Sequence, residues 1–168
     1  MKQRYKPFLI GLVILNLFEL ISCVQRSNYP KEPVIKFENF EQTLDTAYLS
    51  IRFTDGDGDL GLNNRGDTLA PYNAAGKNYF NVILSYYSKR KNKYLKASSY
   101  AGDFRFDRLK SQSRSGELAG VIKLKMFRPY HLPNDKPGDT IKYEFYMKDR
   151  ALNQSNIENT GDIIVKYN

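Results

Sequence analysis

The chain has 168 residues, 26 Lys and Arg against 18 Asp and Glu for a formal net charge of +8, one cysteine, one histidine and no tryptophan. A single cysteine excludes a disulfide framework and a Cys-based metal site. A single histidine excludes a His-rich zinc centre.

Lys2, Arg4 and Lys6 precede an apolar run from Phe8 to Phe18, and Leu20-Ile21-Ser22-Cys23 follows. A basic head, a short apolar stretch and a small residue before the cut describe a secretory signal peptide. A retained membrane span is the rival reading. Phe8 to Ser22 makes only about 22 Å of helix against a hydrocarbon core of roughly 30 Å. It also carries Asn16 and Glu19, which are costly at that depth.

Leu20-Ile21-Ser22-Cys23 resembles the lipobox of bacterial lipoproteins, whose cysteine is acylated and becomes the first mature residue. The resemblance implies Cys23 as a multiply acylated anchor, since one acyl chain alone binds a membrane weakly. In the competing reading Cys23 is a lone thiol of an ordinary signal peptide. The expected organisation is a signal peptide over 1–22, an acylated cysteine and tether over 23–33, and one domain over 34–168, large enough for a real core. Val24 to Asn28 lacks the acidic residues that some surface-exported lipoproteins carry after the cysteine. This favours the periplasmic face of the outer membrane, a compartment from which nucleic acid is excluded.

Beyond Pro33 the apolar residues recur with period two, the mark of half-buried strands. The expected runs are 34–40, 46–54, 79–87, 117–127, 139–148 and 160–167. The clearest has Ile141, Tyr143, Phe145 and Met147 alternating with Lys142, Glu144, Tyr146 and Lys148. No segment shows a helical stripe. About seven to eight short strands separated by turns predict an all-β, antiparallel sandwich. The segment 103–110 is one strand too many for this plan and has no assigned place.

Pro137 to Asn156 resembles part of the immunoglobulin-like and fibronectin-III-like superfamily. Tyr143-Glu144-Phe145 looks like the Tyr-x-Cys of a sixth strand, with Phe145 at the cysteine position. Lys148 to Ser155 looks like the D-x-A-G-N-x-S turn of bacterial modules, with Leu152 at the glycine. The resemblance implies that the loop after the second strand and the loop after the sixth meet at one end of the sandwich. Asp149, Asn153 and Asn156 are therefore expected near Asp55, Asp57 and Asp59.

Those three aspartates stand in TDGDGDLGLN, residues 54–63. Carboxylates so close repel one another, and a hard cation relieves the repulsion. Calcium takes six to eight oxygens and tolerates irregular geometry, so it is the expected cofactor. The EF-hand pattern fails. Counting from Asp55, the sixth position is Leu60 instead of glycine, and the twelfth is Gly66 instead of glutamate. Asn63, Asp67 and Asp149 are the candidates to complete the site. The alternative is that the Asp-Gly pairs only make turns.

Lys89 to Arg114 concentrates nine basic residues against two acidic ones, interleaved with aromatics. Lys89, Arg90, Lys91, Lys93 and Tyr94 are candidate contacts for an anionic glycan or another envelope protein. Equally, lysines there can guard a hairpin and a sheet edge. His131 reads as a surface loop residue too far from the aspartates to act with them. Function is expected to be non-catalytic: a lipid-anchored envelope binding or assembly module. The other reading is a carbohydrate-binding accessory module, which would need Tyr48, Tyr87 and Tyr146 to form one exposed platform.

Overall fold

The structure is a computed structural model that describes residues 28–44, 46–63, 65–98, 100, 102–111, 116–127 and 131–167. The signal segment, the lipobox and Cys23 lie outside the described residues. Eight strands follow in order: β1 Val34–Gln42, β2 Thr46–Asp55, β3 Val82–Arg90, β4 Lys93–Lys96, β5 Leu118–Phe127, β6 Thr140–Met147, β7 Glu158–Asn159 and β8 Ile163–Ile164. They form an antiparallel sandwich. One sheet has the order β1-β2-β5, and the other β4-β3-β6-β7 with β8 also on β6.

The period-two pattern explains this arrangement. On β6 every second side chain is buried, and its partners on β3 follow the same beat. Tyr86 pairs with Tyr143, Leu84 with Phe145 and Val82 with Met147. Leu49, Ile51 and Phe53 of β2 and Leu124 and Met126 of β5 face them, and all join one buried cluster. Phe145 is part of that core. With neither disulfide nor tryptophan, three tyrosines fill the centre. Tyr86 lies 4.9 Å from Tyr100 and 5.3 Å from Tyr143 between ring centroids, the offset and edge geometry that aromatic quadrupoles favour.

Two expectations need correction. The run expected over 160–167 is a strand only at Ile163–Ile164; Glu158–Asn159 forms a separate short strand before it, with Gly161 at φ 67° between the two. Thr160 bridges the break, its Oγ1 accepting from Tyr143 N at 3.1 Å. The run expected over 79–87 is the strand 82–90, which turns at Lys91-Asn92, both with positive φ, into β4. Two consecutive positive φ values suit the right-handed twist of a tight hairpin.

Segment 103–110 belongs to neither sheet. It is an extended strap. Phe104 exchanges backbone hydrogen bonds with Val82, and Leu62 does so with Phe106 and Arg108. Phe104, Phe106 and Leu109 rest on the core. Asn81, buried, holds the strap from below: its side chain donates to Phe106 O at 3.0 Å and accepts from Phe106 N at 2.9 Å. The strap thus covers the long β2–β3 loop in which the aspartates sit.

The turn after β6 takes a left-handed backbone at a cost. Leu152 has φ 69°. A Cβ in that region costs about 1–2 kcal/mol, and Asn tolerates it better than Leu. Leu152→Asn is expected to raise stability by about 0.5–1 kcal/mol, read as a higher urea midpoint with an unchanged slope.

Candidate metal centre

Asp55 is the last residue of β2, and Asp149 lies two residues beyond β6. Adjacent strand ends in the two sheets bring these carboxylates together across 94 positions of chain, with Asp57 and Asp59 closing the group from the loop. One carboxylate oxygen from each of Asp55, Asp57, Asp59 and Asp149 lies within 4.8 Å of all the others. Ligands on opposite sides of a calcium ion are about 4.6–5.2 Å apart, and those of magnesium about 4.0–4.2 Å. A group this compact has room for one metal ion among its four carboxylates.

The cluster is buried on its inner side. Asp55 is 0% and Asp149 1% exposed, whereas Asp57 faces solvent. Asp55 Oδ2 accepts from Leu60 N at 3.1 Å. Asp149 accepts from Asn153 N and Nδ2, both at 2.8 Å. Asp55 Oδ1 and Asp59 Oδ1, by contrast, are buried with no hydrogen-bond partner. An orphaned buried carboxylate oxygen is costly, and a cation supplies what it lacks.

The electrostatics agree. Burial pushes the Asp55 carboxyl up to about 7, helped by the charges of Asp57 and Asp59 and opposed by the Leu60 amide. Asp59 is raised by burial and then by Asp149 and Asp57. Asp149 is raised chiefly by burial, while its bonds from Asn153 work the other way. Without a cation, the fold holds these acids against their charged form.

Local sequence explains the loop's path. Leu60 and Leu62 are buried at 0% and 2% and pin the loop to the core, so the leucine at the EF-hand glycine position is a packing anchor. Gly58 has φ 70°, and a Cβ there would lie 1.8 Å from Gly116 O; only glycine fits. Gly56 lies under Tyr29 and Pro30. Its N donates to Pro30 O at 2.8 Å, and a Cβ would meet Tyr29 O at 2.3 Å. The final residues of the expected tether are therefore docked on this loop.

The remaining candidates separate. Asp67 stands outside the cluster, held by Arg150 in a bidentate pair at 2.7 and 3.2 Å and by Asn63 N at 2.7 Å. The Arg150 guanidinium keeps its carboxyl below the usual range. Asn63 Oδ1 accepts from Arg65 N and Gly66 N, so it caps a turn. Asn153 positions Asp149 without joining the four. Asn156 goes elsewhere, bridging Ile35 N and O on β1 at 2.8 and 2.9 Å. Sequence reasoning missed Arg150 and Asn81, because nothing local marks an arginine or asparagine that braces a distant loop.

The basic hairpin sits at the far end of β3, about 20 Å from the cluster by strand rise. Lys89 pairs with Asp162 at 2.9 Å, and Tyr94 hydrogen-bonds the same carboxylate. Arg90 pairs at 2.6 Å with buried Asp135, which also accepts from Tyr86 and Ser88. Lys91 occupies the hairpin turn, and Lys93 is exposed on β4. Three of the five candidates are thus engaged inside the fold. The tyrosines are dispersed: Tyr48 is on the other sheet beneath Lys123 Nζ, 4.6 Å away. Tyr87 donates to Glu144 and lies under Lys142, while Tyr146 is across from Ile83.

His131 is buried, contrary to its surface expectation. Its ring nitrogens lie 3.0 Å from the carbonyl oxygens of Leu132 and Tyr167. It ties the 131–139 loop to the last strand region. Comparison of the chain with protein-family models, with curated proteins and with solved structures returned no match.

Proposed function

We propose that this protein is a non-catalytic, lipid-anchored module of the cell envelope, with an immunoglobulin-like sandwich presented from acylated Cys23 on the periplasmic face of the outer membrane. Its aspartate loop binds calcium, which stabilises the end of the domain where the tether joins. The observation that carries the calcium reading is the pair of orphaned buried oxygens on Asp55 and Asp59 within a cluster of four carboxylates. A membrane-tethered domain of this kind holds a binding surface for an envelope partner. The carbohydrate-platform alternative loses its support, because Tyr48 lies on the other sheet from Tyr87 and Tyr146, so the three form no one platform.

Thermal melts with calcium and with chelator test the reading. An extracytoplasmic site has Kd on the order of 0.1–1 mM. At about 1 mM calcium the tighter limit stabilises by roughly 1.4 kcal/mol, or about 5 °C for a domain of this size. Asp57→Ala removes the exposed ligand with little effect on packing and is expected to abolish that rise. Superimposed wild-type melts would leave only a glycine-rich turn.

A further inference from the structure

We propose that the cavity beside Asp57 is a binding site for an acidic oligosaccharide, one of whose carboxylates completes the coordination of the loop's cation. This rests on the calcium reading above. The cavity holds about 690 Å³ and is open to solvent, between the aspartate loop and the strap. That is in the range of sites that take drug-sized ligands, about 300–1,000 Å³. Its wall includes Asp57, Asn63, Asp107, Arg108, Lys110 and Ser111.

The coordination arithmetic leaves room for a ligand. Four carboxylates giving one oxygen each leave two to four positions on an ion that takes six to eight. Asp55 and Asp149 close the inner side, so the free positions face Asp57, the one exposed carboxylate of the four. Asp57 lines both the cluster and the cavity.

Two cations in the lining offer counter-charges to an anion. Arg108 and Lys110 are exposed and make no ion pair among the described residues, unlike Lys89, Arg90 and Arg150. The strap's backbone is fixed by hydrogen bonds from Arg108 N to Leu62 O and from Leu109 N to Leu60 O. The two cations therefore line the same cavity as Asp57, on a braced backbone. Asp107 brings acceptor oxygens and Asn63 an amide nitrogen, its Oδ1 being taken up by the turn it caps; an acidic acceptor beside a donor suits hydroxyl groups better than a phosphate, whose recognition calls for donors alone. A sugar bearing a carboxylate satisfies both kinds of wall: the carboxylate reaches cation and guanidinium, and the hydroxyls reach the neutral and acidic groups. Such a site binds glycan through a bridging ion, with no aromatic platform.

The test is calorimetric, on the full chain purified in detergent micelles. Calcium is titrated first, then trigalacturonate, triguluronate and 3′-sialyllactose, with methyl-esterified trigalacturonate and inorganic phosphate as comparisons. At least one acidic sugar is expected to bind in calcium and not in chelator, its ester and phosphate binding at least about tenfold more weakly. The Arg108→Ala, Lys110→Ala double variant is expected to bind calcium normally and the sugar at least about tenfold more weakly, the loss of a charge-assisted contact. Failure to bind calcium sinks the metal reading and this inference with it. Normal calcium binding with no response across the three sugars overturns this inference alone, as does sugar binding indifferent to calcium or to the double variant. Tighter binding of phosphate than of any sugar overturns the ligand class.

Discussion

Asp55→Asn is expected to raise the melting temperature in chelator and, at the same time, to erase the stabilisation by calcium. Asp55 is fully buried, its Oδ1 has no partner, and burial with the charges of Asp57 and Asp59 pushes its carboxyl up to about 7. In the unfolded chain it titrates near 3.9. Because its folded value is raised, its contribution to stability is complete below the unfolded value and is lost as pH rises through about 7. Apo protein should therefore weaken between pH 5 and 8, by on the order of 2 kcal/mol. The carboxylates lowered in the fold, Glu38, Glu41, Asp67, Glu144 and Asp162, act in the opposite sense and only at lower pH, so they do not mask this window. Asparagine can still accept from the Leu60 amide, removes one of four charges and donates to its neighbours. Melts of both proteins at pH 5 and 8, with chelator and with calcium, give the result. A variant that melts below wild type in chelator at pH 8 would contradict the account.

Leu60→Ala should have the larger effect on the fold. Leu60 is completely buried and belongs to the main core although it sits in a loop. Truncating a buried leucine costs about 2.7–5 kcal/mol, through lost transfer energy and the cavity left behind. For a domain of this size that lowers the melting temperature by roughly 10 °C or more. Leu60 also donates its amide to Asp55 and receives the strap through Leu109 N. Loosening it frees the loop to spread its carboxylates, so calcium affinity should fall along with stability. Leu62→Ala, at another buried loop position, should lower stability similarly with a smaller loss of affinity, because its backbone meets the strap and not Asp55. Equal losses of affinity in the two variants would show that general destabilisation, not the position of the loop, controls the site.

Much of this was legible in the chain itself. Alternation such as that of Ile141, Tyr143, Phe145 and Met147 determines which face of a strand is buried, because side chains leave a strand on opposite sides in turn. The all-β sandwich and the strand boundaries, to within a few residues, followed from that beat. The loop carrying Asp55, Asp57 and Asp59 was visible as an excess of charge that a turn does not need. The approach of Asp149 was what the resemblance of residues 137–156 to immunoglobulin-like sandwiches implied.

What only the tertiary structure decided was partnership. Asp67 and Asp149 are both aspartates near loops, and local sequence does not separate them. Arg150 claims the first, and strand geometry delivers the second to the cluster. Lys89 and Lys110 read alike as basic residues, yet Asp162 neutralises one while the other faces the cavity. The strap at 103–110 had no place in the pattern, because its contacts come from Asn81, Leu60 and Leu62, which lie 20 to 50 positions away. Periodicity reports which side of the chain is buried. It carries no information about which distant group will meet a given charge, and that choice is made by the packing of the two sheets and the loops that cross their ends.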